Sequence, residues 1–254
     1  MPPQRSLESK DNVNRNKARS PAGSSIFVGL RALDPFLQHS LLSNQLGATI
    51  IEGIGGKVFN QGPTANTGLA MIDALGLSPY RLALLCMAAG SSIKQIFWQL
   101  IISEQEMPPK DAAKISFFNT VFNTASSLVF IAQATSPAYG LGEGPAWEGW
   151  PSTPLVVGSS LFVLGMLVET VSEIQRHNFK KNPENKGRLY TGGLFSWARH
   201  INYGGYTTWR AGYALAAGGW TWGAIVGGFF FYDFAFRGVP VLDEYCSHKV
   251  CSQA

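Results

Sequence analysis

Residues 169–206 read ETVSEIQRHNFKKNPENKGRLYTGGLFSWARHINYGGY. The stretch begins inside an apolar run, 154–175. It turns polar and basic at Arg176 and returns to apolar sequence just past Asn202. A membrane helix needs about 20 mostly apolar residues. A basic loop between apolar runs of that order points to an all-α fold, a polytopic transmembrane helical bundle.

The rest of the chain agrees. Of 254 residues, 46% are hydrophobic and only 14% charged, against about 25% charged in an average soluble chain. The 28 Gly and 7 Trp suit helices packed in lipid. The mean hydropathy of +0.05 is low because the polar first 25 residues and the 176–200 loop dilute it. Clear spans are read at 80–102, 115–137, 154–175 and 221–237. Weaker ones lie at 41–58, which carries Glu52, and at 203–219, which carries Arg210. Residues 26–38, with Pro35, read as an interfacial entry segment. The expected domains are a disordered cytosolic tail, 1–25, and a transmembrane domain, 26–254.

About six spans put every basic cluster on one side: Arg5 to Arg19, Lys110 and Lys114, Arg176 to Arg199, and Arg237 with Lys249. The opposing 138–153 loop has Glu143, Glu148, Trp147 and Trp150 but no Lys or Arg. The positive-inside rule then places both termini in the cytosol. The net charge of +4 therefore reads as membrane orientation and not as nucleic-acid binding. The apolar runs are too long for a soluble helical protein. Lys94, Asn119, Asn123 and Gln133 fall within spans. The amides suit inter-helical hydrogen bonds, and Lys94 suits snorkelling to the cytosolic face. Cys86, Cys246 and Cys251 form no metal or disulfide pattern, and no metal site is expected.

The residue types in the C-terminal half suit a nucleotide cofactor. Arg188, Arg199 and Arg237 can each grip a phosphate in bidentate fashion. Glu173 can accept from ribose hydroxyls or an adenine amine. Asn202 and Tyr203 can orient a carboxamide or a ring, and Tyr245 can cover the pocket. No G-x-G-x-x-G is present, so a Rossmann site is excluded. Asp233 stands one turn from Arg237, a spacing that suits a structural ion pair.

Arg199-His200-Ile201-Asn202-Tyr203-Gly204-Gly205 resembles the R-H-P-N-Y-x-G-E box of the steroid 5-alpha-reductase and sterol C=C reductase group, with its DUF1295 relatives. More distantly it is similar to the isoprenylcysteine carboxyl methyltransferases. The likeness covers roughly residues 155–249. It runs from Glu169-Thr170 and Gln175 through Asn182-Pro183 and Gly187-Arg188 to Arg237-Gly238-Val239-Pro240. The resemblance implies NADPH bound at Glu173, Arg188, Asn202, Arg237 and Tyr245, with Glu169 on a further cofactor position where the residue type differs. It also implies a cofactor contact for His200.

Ile201 stands where the family has Pro, and Tyr206 where it has Glu. Relatives continue past the C-terminal Cys-x-x-Lys into an aromatic tail, so the chain is expected to be cut short. The activity expected from the resemblance is NADPH-dependent reduction of a C=C bond in a sterol, steroid or other lipidic substrate, in the endoplasmic reticulum. Glu52 and Tyr206 are the candidate catalytic groups. The alternatives are a methyltransferase using S-adenosylmethionine on a lipid or prenylcysteine, and a non-catalytic scaffold. Nothing in the sequence sets an oligomeric state.

Overall fold

The structure, a computed structural model, describes residues 16–139 and 152–251. Glu143, Glu148, Trp147 and Trp150 lie outside the described residues. Eight α-helices follow in chain order among them: α1 Pro21–Leu42, α2 Gln45–Gly53, α3 Ala70–Asp73, α4 Pro79–Phe97, α5 Pro109–Ile131, α6 Thr153–Lys181, α7 Ile201–Asp233 and α8 Val239–Cys251. A π turn, Trp98–Ile102, extends α4, and another, Phe234–Gly238, joins α7 to α8. No β-strand occurs among the described residues; Val58 and Ala132 form one isolated bridge.

Local chemistry starts the helices. Ser78 accepts from the Arg81 amide ahead of α4, and Ser152 from the Leu155 amide ahead of α6. Each is followed by a proline in the first turn, where the missing N–H costs nothing. At the far end of α6, Lys180 and Lys181 sit in the last turn, where cations favour the carbonyl end. Asn182, held in an extended conformation before Pro183, ends the helix.

Three helices are long and apolar enough to cross a membrane: Pro79–Ile102, Thr153–Lys181 and Ile201–Glu244. The third doubles back. Gly218 and Gly219 leave helical geometry, Gly219 at φ +70°, ψ −168°. After the turn, Gly223 lies on Leu215 and Gly227 on Ala211, while Phe230 meets Tyr206 and Phe234 stacks on Tyr203. Residues 201–217 and 220–233 therefore form an antiparallel hairpin, as the Gly-rich sequence between 203 and 237 suggests.

The reading of the first span needs correction. Residues 41–58 do not form one helix: Asn44, at φ 63°, breaks the chain between α1 and the short α2. Residues 26–38, expected at the interface, lie within the 22-residue α1, which packs on α4 and α5. Arg31, Asp34 and Gln38 make that helix look too polar to be interior, yet all three are buried and bonded to neighbours. Helix also begins at Pro21, inside the segment expected to be disordered to residue 25.

The side-chain distribution is inverted relative to a soluble protein. Leu33, Phe36, Ile93, Phe117, Leu167 and Phe231 point outward, Phe36 74% exposed and Phe117 71%. Arg31, Asp34, Lys94, Asn119, Asn123, Glu169 and Arg210 are inside. Water would favour the opposite arrangement, and a hydrocarbon surround favours this one. One end of the bundle gathers the 16–20 segment, the 103–108 turn and the end of α6: Asn16 and Ser20 bond the 106–107 backbone, Lys17 pairs with Glu104, and His177 and Lys180 of α6 act on the same carboxylate. At the other end Arg81 bonds the Leu42 and Phe59 carbonyls, and Tyr80 bonds the Ala216 carbonyl.

Candidate active site

The most extensive helix–helix contact among the described residues is α6 against α7, and glycines make it possible. A Cβ at Gly205 would lie 2.7 Å from the Glu169 amide nitrogen, and one at Gly165 would lie 2.4 Å from that of Trp209. The last glycine of the box thus serves backbone contact, the small-residue packing of membrane helices. It brings two carboxylates of α6, one turn apart, against α7.

The outer carboxylate is Glu173. It accepts from Asn202 Nδ2 at 2.8 Å and pairs with Arg176. The inner carboxylate is Glu169, buried with Trp209 Nε1 at 2.6 Å and paired with Lys94 of α4. The pairing corrects the expectation that Lys94 snorkels; only 9% of its side chain is exposed. Glu169 and Lys94 line a cavity of about 180 Å³, with Gln95, Trp98, Asn119, Tyr206, Phe27, Met107 and Ile115. Its lining mixes apolar and hydrogen-bonding side chains, as small-molecule sites do, in a smaller volume than most of them have.

Behind the cavity runs a polar network. Arg210 bonds Asn123 Oδ1 at 3.1 Å and also donates to Asn119 Oδ1. Its Nε donates to the Tyr206 hydroxyl at 3.2 Å, and its guanidinium lies 4.3 Å from the Trp209 ring centroid. Asn123 donates to Asp34 at 2.6 Å, and Asp34 in turn pairs with Arg31. Arg31 has the Asp34 carboxylate, whereas Arg210 is met by the neutral acceptors Asn119, Asn123 and Tyr206 and by the Trp209 ring, so its hydrogen bonds are satisfied without a counter-charge in direct contact.

Of the remaining expected residues, all but Glu52 lie toward the basic end. His200 Nε2 and Arg199 both reach Asp243 Oδ1, at 3.3 and 3.1 Å. The His200 ring is nearly parallel to Tyr203, which stacks on Phe234 at 4.5 Å. Arg237 makes the expected pair with Asp233, at 2.7 and 2.5 Å. Arg188 is exposed in the loop. Tyr245 lies on α8, and its side chain falls outside the described ones. Glu52 stands apart, exposed on α2 beyond the opposite end of α1. Residue-by-residue reading missed Gln95 and the pairing of Lys94. The available signal was an intramembrane Lys and an intramembrane Glu of opposite sign.

Among the described residues, fold and site define a helical, membrane-type bundle with a partly open cavity lined by charged groups near its basic end. The chain belongs to the DUF1295 family, whose model, described as a protein of unknown function, matches residues 101–253. It is 42% identical over 245 residues to the probable O-methyltransferase ustE of Ustilaginoidea virens, covering 96% of this chain and 85% of that one. It is 35% identical over 71 residues to 3-oxo-5-alpha-steroid 4-dehydrogenase 1 of Bos taurus, 28% of each chain. No solved structure matches.

Proposed function

We propose that this chain is a membrane-embedded enzyme that brings a soluble nucleotide cofactor, held at the basic end, to a lipophilic substrate in the internal cavity. The observation that carries the reading is the adjacency of two layers. Glu173 with Asn202 of the box forms one, and Glu169 with Lys94 and Tyr206, one turn deeper, lines the cavity. The favoured chemistry is O-methyl transfer from S-adenosylmethionine, ahead of the reduction expected from the sequence. Two things support that order. The similarity to the probable O-methyltransferase extends over nearly the whole chain. The carboxylate that follows the reductase box is replaced by Tyr206, while the shorter box shared with methyltransferases is intact.

The residues fit such a cofactor in type. Arg188 and Arg199 suit its carboxylate, Glu173 suits ribose hydroxyls, and the Tyr203–Phe234 stack offers an aromatic face. S-adenosylmethionine supplies an electrophilic methyl group. The substrate oxygen gains the methyl and loses its proton, for which the Glu169 carboxylate is a nearby acceptor. The Lys94 ammonium balances charge developing on that oxygen.

The second reading is hydride transfer from NADPH to an electron-poor C=C bond. The similarity to the steroid dehydrogenase and the Glu169–Arg188 segment favour it. Both readings share the membrane topology: six crossings, with the basic end cytosolic.

Calorimetry on the purified chain in phosphatidylcholine nanodiscs tests the choice. S-adenosylmethionine is expected to bind, and Arg199→Ala to weaken it by about 1.5–3 kcal/mol, the scale of a charge-assisted hydrogen bond. Binding of NADPH alone would select the second reading, and binding of neither would reject both.

A further inference from the structure

Two spaces in the bundle share their walls. The inner one is the cavity of about 180 Å³ beside Glu169. The outer one is an open groove of about 570 Å³ at the basic end, between the 16–20 segment and the turn that follows α4. The same three elements line both, and along each the lining passes from one space to the other. On α4 and its π turn, Gln95 and Trp98 line the cavity and Gln99 the groove. On α1, Phe27 lines the cavity and Ser24, about one turn earlier, the groove. In the turn, Met107 lines the cavity and Gln105 the groove. The cavity alone is smaller than the ~300–1,000 Å³ of most ligand sites, and the two spaces together fall within that range.

Where the two linings adjoin, Gln99 Nε2 donates to Ser24 Oγ at 3.1 Å and ties the end of α4 to α1. The Gln99 side chain is buried, and its Oε1 has no hydrogen-bond partner. A buried polar group left without a partner costs about 1–3 kcal/mol. Parting Gln99 from Ser24 would let water relieve that cost. The closed arrangement is thus held by one hydrogen bond and opposed by one unmet group. Gln99 also lies in the π turn Trp98–Ile102, where the helical ladder is already irregular.

The groove is basic. Lys17 and Arg19 line it with one carboxylate, Glu104. That carboxylate is engaged: a hydrogen bond from Lys17, with the charges of Lys17, His177 and Lys180, holds it below its usual range. Arg19 is exposed.

We propose that groove and cavity are two halves of one binding site for an acidic amphiphile, with Gln99 and Ser24 as the gate between them. The apolar end of the ligand enters the cavity, and its anionic group stays beside Lys17 and Arg19. The ligand then arrives from water at the basic end and not sideways from the bilayer. The inference rests on reading the cavity as the substrate site, and adds to it a route and a second functional group on the substrate.

Thiol accessibility tests it on the full chain in phosphatidylcholine nanodiscs, with the three native cysteines replaced. One cysteine is placed in the cavity wall, as Phe27→Cys and separately as Met107→Cys, both buried positions. The probes are two membrane-impermeant methanethiosulfonates, one ending in a sulfonate and the other in a trimethylammonium. Each rate is taken relative to that with glutathione. The sulfonate is expected to react severalfold faster, and Arg19→Glu to abolish that preference. Gln99→Ala is expected to speed both reagents by about tenfold, the scale of one hydrogen bond. Cysteines that react in detergent-unfolded protein but not in nanodiscs, even with Gln99→Ala, would overturn the proposal. So would a rate indifferent to Gln99→Ala in protein with an unchanged melting curve, which places the entrance elsewhere. Equal rates for the two reagents would reject the acidic ligand. Cofactor binding is measured separately. Gated, anion-preferring entry without any cofactor affinity would sink the enzymatic reading and leave the two-part site standing. Cofactor affinity with inert cysteines would do the reverse.

Discussion

Lys94 and Glu169 pair where water barely reaches, with side chains 9% and 11% exposed. Breaking such a pair is worse than never having it, because the survivor is left charged and buried. Glu169→Gln should therefore cost about 3–5 kcal/mol of stability, read as a fall in unfolding midpoint. Lys94→Met combined with Glu169→Leu should recover most of that loss while remaining inactive. A double variant no more stable than the single would show that the pair is not the source. At this scale the box was legible, because Asn202, Tyr203 and Gly205 sit at fixed spacing. Gln95 was not. Its place in the cavity wall depends on Asn119, which lies on another helix and meets it only after folding. Glu169 was assigned to the cofactor on resemblance alone, whereas its two oxygens face Lys94 and Trp209 beside the cavity.

Among the elements, α6 and α7 form the most intimate pair, and their glycines can be told apart by what surrounds them. A Cβ at Gly205 meets the Glu169 backbone at 2.7 Å, whereas one at Gly204 meets nothing within 4 Å among the described residues. Gly205→Ala should push the helices apart at a cost of about 1–3 kcal/mol, and should lower activity by displacing Glu169. Gly204→Ala should be neutral or slightly stabilising, since alanine favours helix. Chemical denaturation of the two variants side by side checks the contrast. At the hairpin, Gly219 holds φ +70°, ψ −168°. Gly219→Ala should cost about 1–3 kcal/mol from backbone strain, since among the described residues its added Cβ would meet nothing nearer than Pro137 at 3.6 Å. The hairpin was readable as two apolar runs meeting at paired glycines. The first helix was misread because averaged hydropathy counts Arg31, Asp34 and Gln38 as exposed. Their partners, Ser92, Thr120, Thr124 and Asn123, lie on other helices.

Across the described residues, Lys17 meets Glu104 beside the end of α6, and Arg199 meets Asp243 of α8 next to the box, so these basic groups share one end of the bundle. The expected charge map depends on loops and not on where each helix begins, so the relocation of the first helix is compatible with it. If that end is cytosolic, cysteines placed at Thr64 and at Thr191, in a background without the three native ones, should react with a membrane-impermeant reagent from opposite sides of sealed vesicles. Labelling of both from one side would reject the topology. The hairpin also bears on how the chain enters a membrane. Its first arm carries Arg210, a residue that an isolated helix cannot hold in hydrocarbon without a cost of about 2.5–3.5 kcal/mol. The two arms share only a glycine turn, so there is no soluble loop on which the first could wait for the second. The groups that receive Arg210, Asn119 and Asn123, belong to α5, which leaves the ribosome about ninety residues ahead. Biogenesis is thus ordered by the fold: the amides are already in the bilayer when the arginine arrives, and the hairpin enters against them as a unit. Replacing both amides with leucine should then reduce integration of residues 201–238 during synthesis, scored by a glycosylation tag at the turn, before any finished bundle exists to be destabilised.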